Sequence, residues 1–104
     1  MISPDAAADS FPKALGINPN LTYAHSNLGN ALKELGQLED AVDSYRTALA
    51  LDQDFPEAHA NLGIALQQLG RLDDSVAVHR NALALWPDFP DEHFNLANAL
   101  QEQG

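Results

Sequence analysis

The chain of 104 residues contains no cysteine, which removes disulfides, thiolate nucleophiles and Cys-based zinc sites from consideration. Basic residues are scarce: five Lys and Arg stand against 15 Asp and Glu, for a net charge of -10. Affinity for phosphate backbones and anionic lipid comes from Lys and Arg neutralising charge, so neither nucleic acid nor a membrane surface is expected as a partner. No apolar run approaches the ~20 residues of a membrane span, and the N-terminus lacks the basic, apolar, small-residue order of a signal peptide. The expectation is a soluble, cytoplasmic protein. A Gly-rich phosphate loop, a nucleophile elbow and a catalytic carboxylate dyad are all missing, so the sequence calls for neither an enzyme nor a cofactor. What is present is 45% apolar residues, enough for one small packed core.

The apolar residues recur with a period. Thr22 to Phe55 laid against Pro56 to Phe89 matches at 19 of 34 positions, where unrelated sequence gives roughly 2. His25, Asn27, Leu28, Gly29, Ala31, Leu32, Leu35, Gly36 and Leu38 return as His59, Asn61, Leu62, Gly63, Ala65, Leu66, Leu69, Gly70 and Leu72. Val42, Ala48, Leu49 and Leu51 return as Val76, Ala82, Leu83 and Leu85. Each unit reads as two helices. The first whole unit is expected to place them at about Thr22 to Leu35 and Leu38 or Glu39 to Leu51, the second at about Glu57 to Leu69 and Asp73 to Leu85. Gly36 and Gly70 fall where a positive φ ends a helix at little steric cost. Gly29 and Gly63 lie inside helices, where Gly costs about 1 kcal/mol against Ala. Close approach of the paired helix is the expected reason.

The phase continues outward. Residues 4 to 17 read as the second helix of an incomplete unit, started by Ser3 and Pro4 and interrupted at Pro12, with Asn18, Pro19 and Asn20 as the turn that follows. Asp91 to Gln103 reads as the first helix of another. The chain is thus a single domain, 1–104, divided into a half unit with its turn at 1–21, whole units at 22–55 and 56–89, and a half unit at 90–104.

A 34-residue period of two helices resembles the tetratricopeptide repeat family. Numbering each unit from Thr22 or Pro56, Leu28 and Leu62 match the family's Leu at position 7, Gly29 and Gly63 the Gly at 8, Ala48 and Ala82 the Ala at 27, and Pro87 the Pro at 32. The departures are His25, His59 and His93 in place of Trp at position 4, Leu in place of Tyr at 11, Ser75 in place of Ala at 20, and Gln53 in place of Pro at 32, which would stop its helix less sharply. The phrasing AHSNLG and AHANLG is similar to the repeats of O-linked N-acetylglucosamine transferases. The resemblance implies an all-α fold, a right-handed α-solenoid of antiparallel helix pairs, whose first helices line a concave face.

That face carries the functional expectations. Through the resemblance, Tyr23, Asn27, Asn30 and Lys33 of the first unit, Asn61, Ile64, Gln67 and Gln68 of the second, and Phe94, Asn95 and Asn98 of the last helix would line a peptide-binding groove. Asn and Gln carry a donor and an acceptor each, so a row of them can satisfy the backbone of an extended peptide of any sequence. Asn27, Asn61 and Asn95 match an asparagine ladder of the transferase-like relatives. Positions 2, 5 and 6 carry no base, unlike relatives that clamp the terminal carboxylate of chaperone tails, so such tails are disfavoured.

His25, His59 and His93 cannot share a metal ion, because equivalent positions on packed helices are about 8 to 10 Å apart. They are expected to fill the space of the family's Trp, and His79, in the place of Tyr45, to pack likewise. Acidic residues such as Asp73, Asp74, Asp91 and Glu92 are expected at helix starts and on outer faces. The expected function is a non-catalytic protein-protein interaction module that binds peptide or protein. Two alternatives are a substrate-recognition segment of a larger enzyme such as an O-linked glycosyltransferase, and a self-assembling structural module. For the last, the terminal half units expose Phe11 on one side and Leu96, Ala97, Ala99 and Leu100 on the other, which would allow head-to-tail association or a two-fold dimer.

Overall fold

The computed structural model describes residues 19–104. Five helices follow one another: α1 (Pro19–Glu34), α2 (Leu38–Leu51), α3 (Pro56–Gln68), α4 (Leu72–Leu85) and α5 (Pro90–Gln103). Among the described residues there is no strand. The expected helix over 4 to 17, its interruption at Pro12, and Phe11 lie outside the described residues.

Each helix packs on the next, α1 on α2, α2 on α3, α3 on α4 and α4 on α5, and the first helices of neighbouring units also touch, α1 with α3 and α3 with α5. This is a stack of helix pairs, an all-α solenoid. The core runs along its length: Ala41, Val42 and Tyr45 of α2 meet Leu62, Ala65 and Leu66 of α3, with Leu32, Leu49, Leu69 and Val78 packed around them.

The turns inside the two units are alike because each uses the same device. Gly36 and Gly70 both have φ of 83°. Gly36 N–H donates to Lys33 O and Gln37 N–H to Leu32 O, and the same pair of bonds runs from Gly70 to Gln67 and from Arg71 to Leu66. These are Schellman closures, in which a left-handed residue returns the chain to the last open carbonyls of the helix.

Two local expectations change. Pro19 and Asn20 belong to α1 and not to the preceding turn; a proline in the first turn needs no N–H partner and its fixed φ suits the helix. Gln53 does not blur the exit of α2, which ends at Leu51, the same unit position as Leu85 in α4. Asp52 N–H donates to Ala48 O, and the Asp52 side chain accepts from Asp54 N–H at 3.0 Å, a local turn that does the work expected of proline. No described helix is long and apolar enough to cross a membrane.

Candidate functional site

The glycines inside the helices set how closely each pair packs. A Cβ built on Gly29 would stand 2.7 Å from Tyr45 Cε1, and one on Gly63 would stand 2.6 Å from His79 Nε2. Real Cβ atoms do not approach so near, so the ring at unit position 24 lies directly on the bare backbone of the facing helix. The expectation of close approach holds, and the ring is its cause.

Around these two rings the units diverge. Tyr45 is fully buried, and its hydroxyl donates to Asn30 Oδ1 at 2.5 Å. The same oxygen accepts from Asn61 Nδ2 at 3.1 Å, so one side chain ties α1 to both α2 and α3. Burial, and secondarily the charge of Glu34, push the Tyr45 hydroxyl up to about 12 from its ordinary 10.

In the next unit His79 replaces the tyrosine and is equally buried. Its Nδ1 is hydrogen-bonded to Glu92 Oε2 at 2.5 Å, the other carboxylate oxygen accepts from Asn95 Nδ2 at 3.0 Å, and Glu92 is completely buried. Nε2 of His79 has no partner. Glu92 was expected at a helix start and on an outer face. It does sit in the first turn of α5, but inside the protein, at the unit position where Ala58 is buried in α3. A lone sequence position gave no sign of this; the paired exchange of Tyr45 for His79 and Ala58 for Glu92 is the signal that was available. Ser75 carries a further exchange, for Ala41, and its buried hydroxyl donates to Gly63 O at 2.7 Å, reachable because Gly63 has no side chain.

Two of the histidines at position 4, His59 and His93, hold the turns between units. His59 Nε2 bonds to Gln53 O at 3.0 Å and His93 Nε2 to Pro87 O at 2.9 Å; a carbonyl only accepts, so Nε2 carries the proton in both. His59 also lies against Trp86, ring centroids 5.4 Å apart. Among the described residues no three His, Asp or Glu converge on a metal position.

The first helices α1, α3 and α5 touch one another in succession along the stack. Ile64, Gln67 and Gln68 of α3 and Asn95, Asn98 and Glu102 of α5 line one groove between those helices. Ile64, Gln67, Gln68, Asn95 and Asn98 are among the residues that the family resemblance assigns to a peptide groove. Asn27 and Gln68 are exposed, and Asn30, Lys33, Asn61, Ile64, Gln67, Asn95 and Asn98 are half-buried. The three asparagines of the ladder are not equivalent: Asn27 faces solvent, while Asn61 and Asn95 each commit one N–H internally and keep a second N–H and a carbonyl. Asn30 accepts twice through Oδ1 and retains only its amide donors. Tyr23 is exposed on one side and packs edge-on against Phe55, centroids 5.0 Å apart. Phe94 is 68% exposed, whereas Ser26 and Ala60 at the same unit position are buried. The apolar residues of α5 are not all bare: packing on α4 buries Ala99 fully and Leu96 partly, leaving Ala97 and Leu100 exposed. This corrects the expectation that Ala99 lacks a cover.

The sequence matches the model of the TPR repeat family over residues 29–70 and 66–104. The chain belongs to the tetratricopeptide repeat family. Similar solved structures include the first TPR domain of Spaghetti (RPAP3) bound to the HSP90 peptide SRMEEVD, with TM-score 0.77 and 18% identity over 81% of this chain and 67% of that one. An arginine-to-glutamate mutant of MamA is similar with TM-score 0.73 and 22% identity, over 97% of this chain and 68% of that one. No curated protein matches the chain.

Proposed function

We propose that this chain is a protein-protein interaction module that holds an extended peptide segment in its concave groove and performs no catalysis. The observation that carries this reading is the groove between α3 and α5, where Gln67, Gln68, Asn95 and Asn98 stand around Ile64. Amides on both walls offer donors and acceptors to a peptide backbone, and the single apolar side chain offers a contact that needs no particular partner. The Spaghetti domain holds an acidic peptide. This groove ends on Glu102, and Lys33 is the one base at its expected positions, so its segment is neutral or basic.

A peptide array read by fluorescence, followed by titration of the best binders against Gln67→Ala/Asn98→Ala, tests the reading. The double variant should weaken varied neutral and basic peptides alike, by about tenfold, with helix content unchanged. Binding that is unaffected, or that survives only for acidic peptides, overturns it.

One observation favours self-association as a second reading: Phe94 is exposed at a unit position where Ser26 and Ala60 are buried. Covering α5 by a second copy would bury it. Sedimentation over a concentration series should show association that Phe94→Glu abolishes; a parent that stays monomeric at high concentration rules this out.

A further inference from the structure

A second cavity is lined by Pro56, Glu57, Leu85, Trp86, Pro87, Asp88 and Phe89. It shares no residue with the groove. Glu57 is in the first turn of α3 and Gln67 in the last, about 15 Å apart along the helix at 1.5 Å per residue.

The first unit shows what belongs in such a place. Phe55 and Phe89 close their units at the same position, 34, and Tyr23 and Glu57 both stand at position 2 of theirs. In the first unit Tyr23 lies edge-on against Phe55, and Phe55 is buried to 8% exposure. In the second unit the ring is replaced by a carboxylate. Phe89 keeps its position but has lost its aromatic cover, it is only half-buried, and the space opens as a cavity with largely apolar walls. Around it stand two acidic side chains, Glu57 and Asp88, both exposed, and no base.

The geometry points to this cavity as an anchor site for an aromatic side chain flanked by Lys or Arg in a partner polypeptide. The ring takes the place that Tyr23 takes on Phe55, edge-on to Phe89 and bounded by Leu85, Pro87 and Trp86, an arrangement favourable beyond its area burial. The flanking cations meet Glu57 and Asp88, which makes association fastest and tightest at low salt. The site is independent of the groove, and a partner could use either alone.

Trp86 is the only tryptophan of the chain and lines the cavity, so its emission reports occupancy. The probe is the capped peptide Lys-Phe-Lys-Lys, excited where phenylalanine does not absorb. It should shift the emission saturably, with Lys-Ala-Lys-Lys at least tenfold weaker and Glu-Phe-Glu-Glu without effect. Glu57→Tyr fills the cavity from within, as Tyr23 does in the first unit, and should weaken Lys-Phe-Lys-Lys at least tenfold. Glu57→Gln/Asp88→Asn keeps the cavity open and should weaken it several-fold, with the salt dependence lost. Gln67→Ala/Asn98→Ala should leave the titration within twofold of the parent, which separates this site from the groove. The proposal is overturned if the emission does not respond at millimolar peptide, if the alanine peptide binds equally well, if both Glu57 variants bind as the parent does, or if the groove variant weakens binding as much as Glu57→Tyr.

Discussion

Two joints of one repeat, built from nearly the same sequence, solve one packing problem in different chemistry. In the first, a buried ring on Gly29 sends a hydroxyl to Asn30, and the place facing the next unit is filled by Ala58. In the second, a smaller ring on Gly63 is completed by Glu92, whose second oxygen is closed by Asn95. Volume lost at one position returns at another. The first joint gathers its polar contacts on Asn30, which accepts from Tyr45 and from Asn61, whereas the second buries an ionisable pair whose members depend on each other. A buried pair broken by removal of one partner leaves a polar group with no water to satisfy it, which costs far more than the intact pair contributes.

The largest effect therefore comes from breaking that pair. Glu92→Ala alone or His79→Tyr alone should each lower stability by about 3 to 5 kcal/mol in urea denaturation. His79→Tyr/Glu92→Ala restores the side-chain volumes of the first joint, though Ile64 stands where Asn30 takes the hydroxyl, and should lose less than the sum of the two single changes by about 0.5 to 3 kcal/mol. Strictly additive losses in this cycle would mean that the two positions do not exchange volume and charge as the comparison requires.

Next in size is the close approach common to both joints. Gly63→Val and Gly29→Val force a branched side chain into the ring above, and overpacking of this kind costs about 1 to 3 kcal/mol. A thermal midpoint within a degree or two of the parent for either variant would remove the physical reason given for these glycines.

Alkaline titration separates the joints by their rings. Tyr45 has its hydroxyl pushed up to about 12 in the folded chain against an ordinary 10 when unfolded. Its contribution is therefore fully present below pH 10 and is lost as pH rises through about 12. Tyr45→Phe should remove this alkaline limb and, at neutral pH, cost about 1 kcal/mol for the lost hydrogen bond. An alkaline limb that persists unchanged in Tyr45→Phe would place it elsewhere.

The smallest expected change is Ser75→Ala, which gives the second joint the residue of the first, Ala41. Loss of the bond to Gly63 O should cost about 0.5 to 1.5 kcal/mol, since the carbonyl is left buried. A gain in stability would show that the hydroxyl is poorly placed.

The sequence by itself determined the helices and their pairing. A 34-residue period needs no tertiary information to read, Gly36 and Gly70 announce left-handed closures, and Ile64, Gln67, Gln68, Asn95 and Asn98 were placed together by the family resemblance. Such features are local or periodic, set by backbone sterics and by which face of a helix must be apolar. The interior of the second joint and the aromatic vacancy were decided only in three dimensions. Glu92 reads in one dimension as a first-turn acid, favourable beside the positive end of its helix, and nothing local says that α4 will place His79 13 residues earlier against it. Glu57 begins the expected first helix of its unit, and nothing local says that Phe89 will stand without the ring that Phe55 receives from Tyr23. Burial and pairing depend on what another helix brings to the same point, and that is fixed by how the units stack.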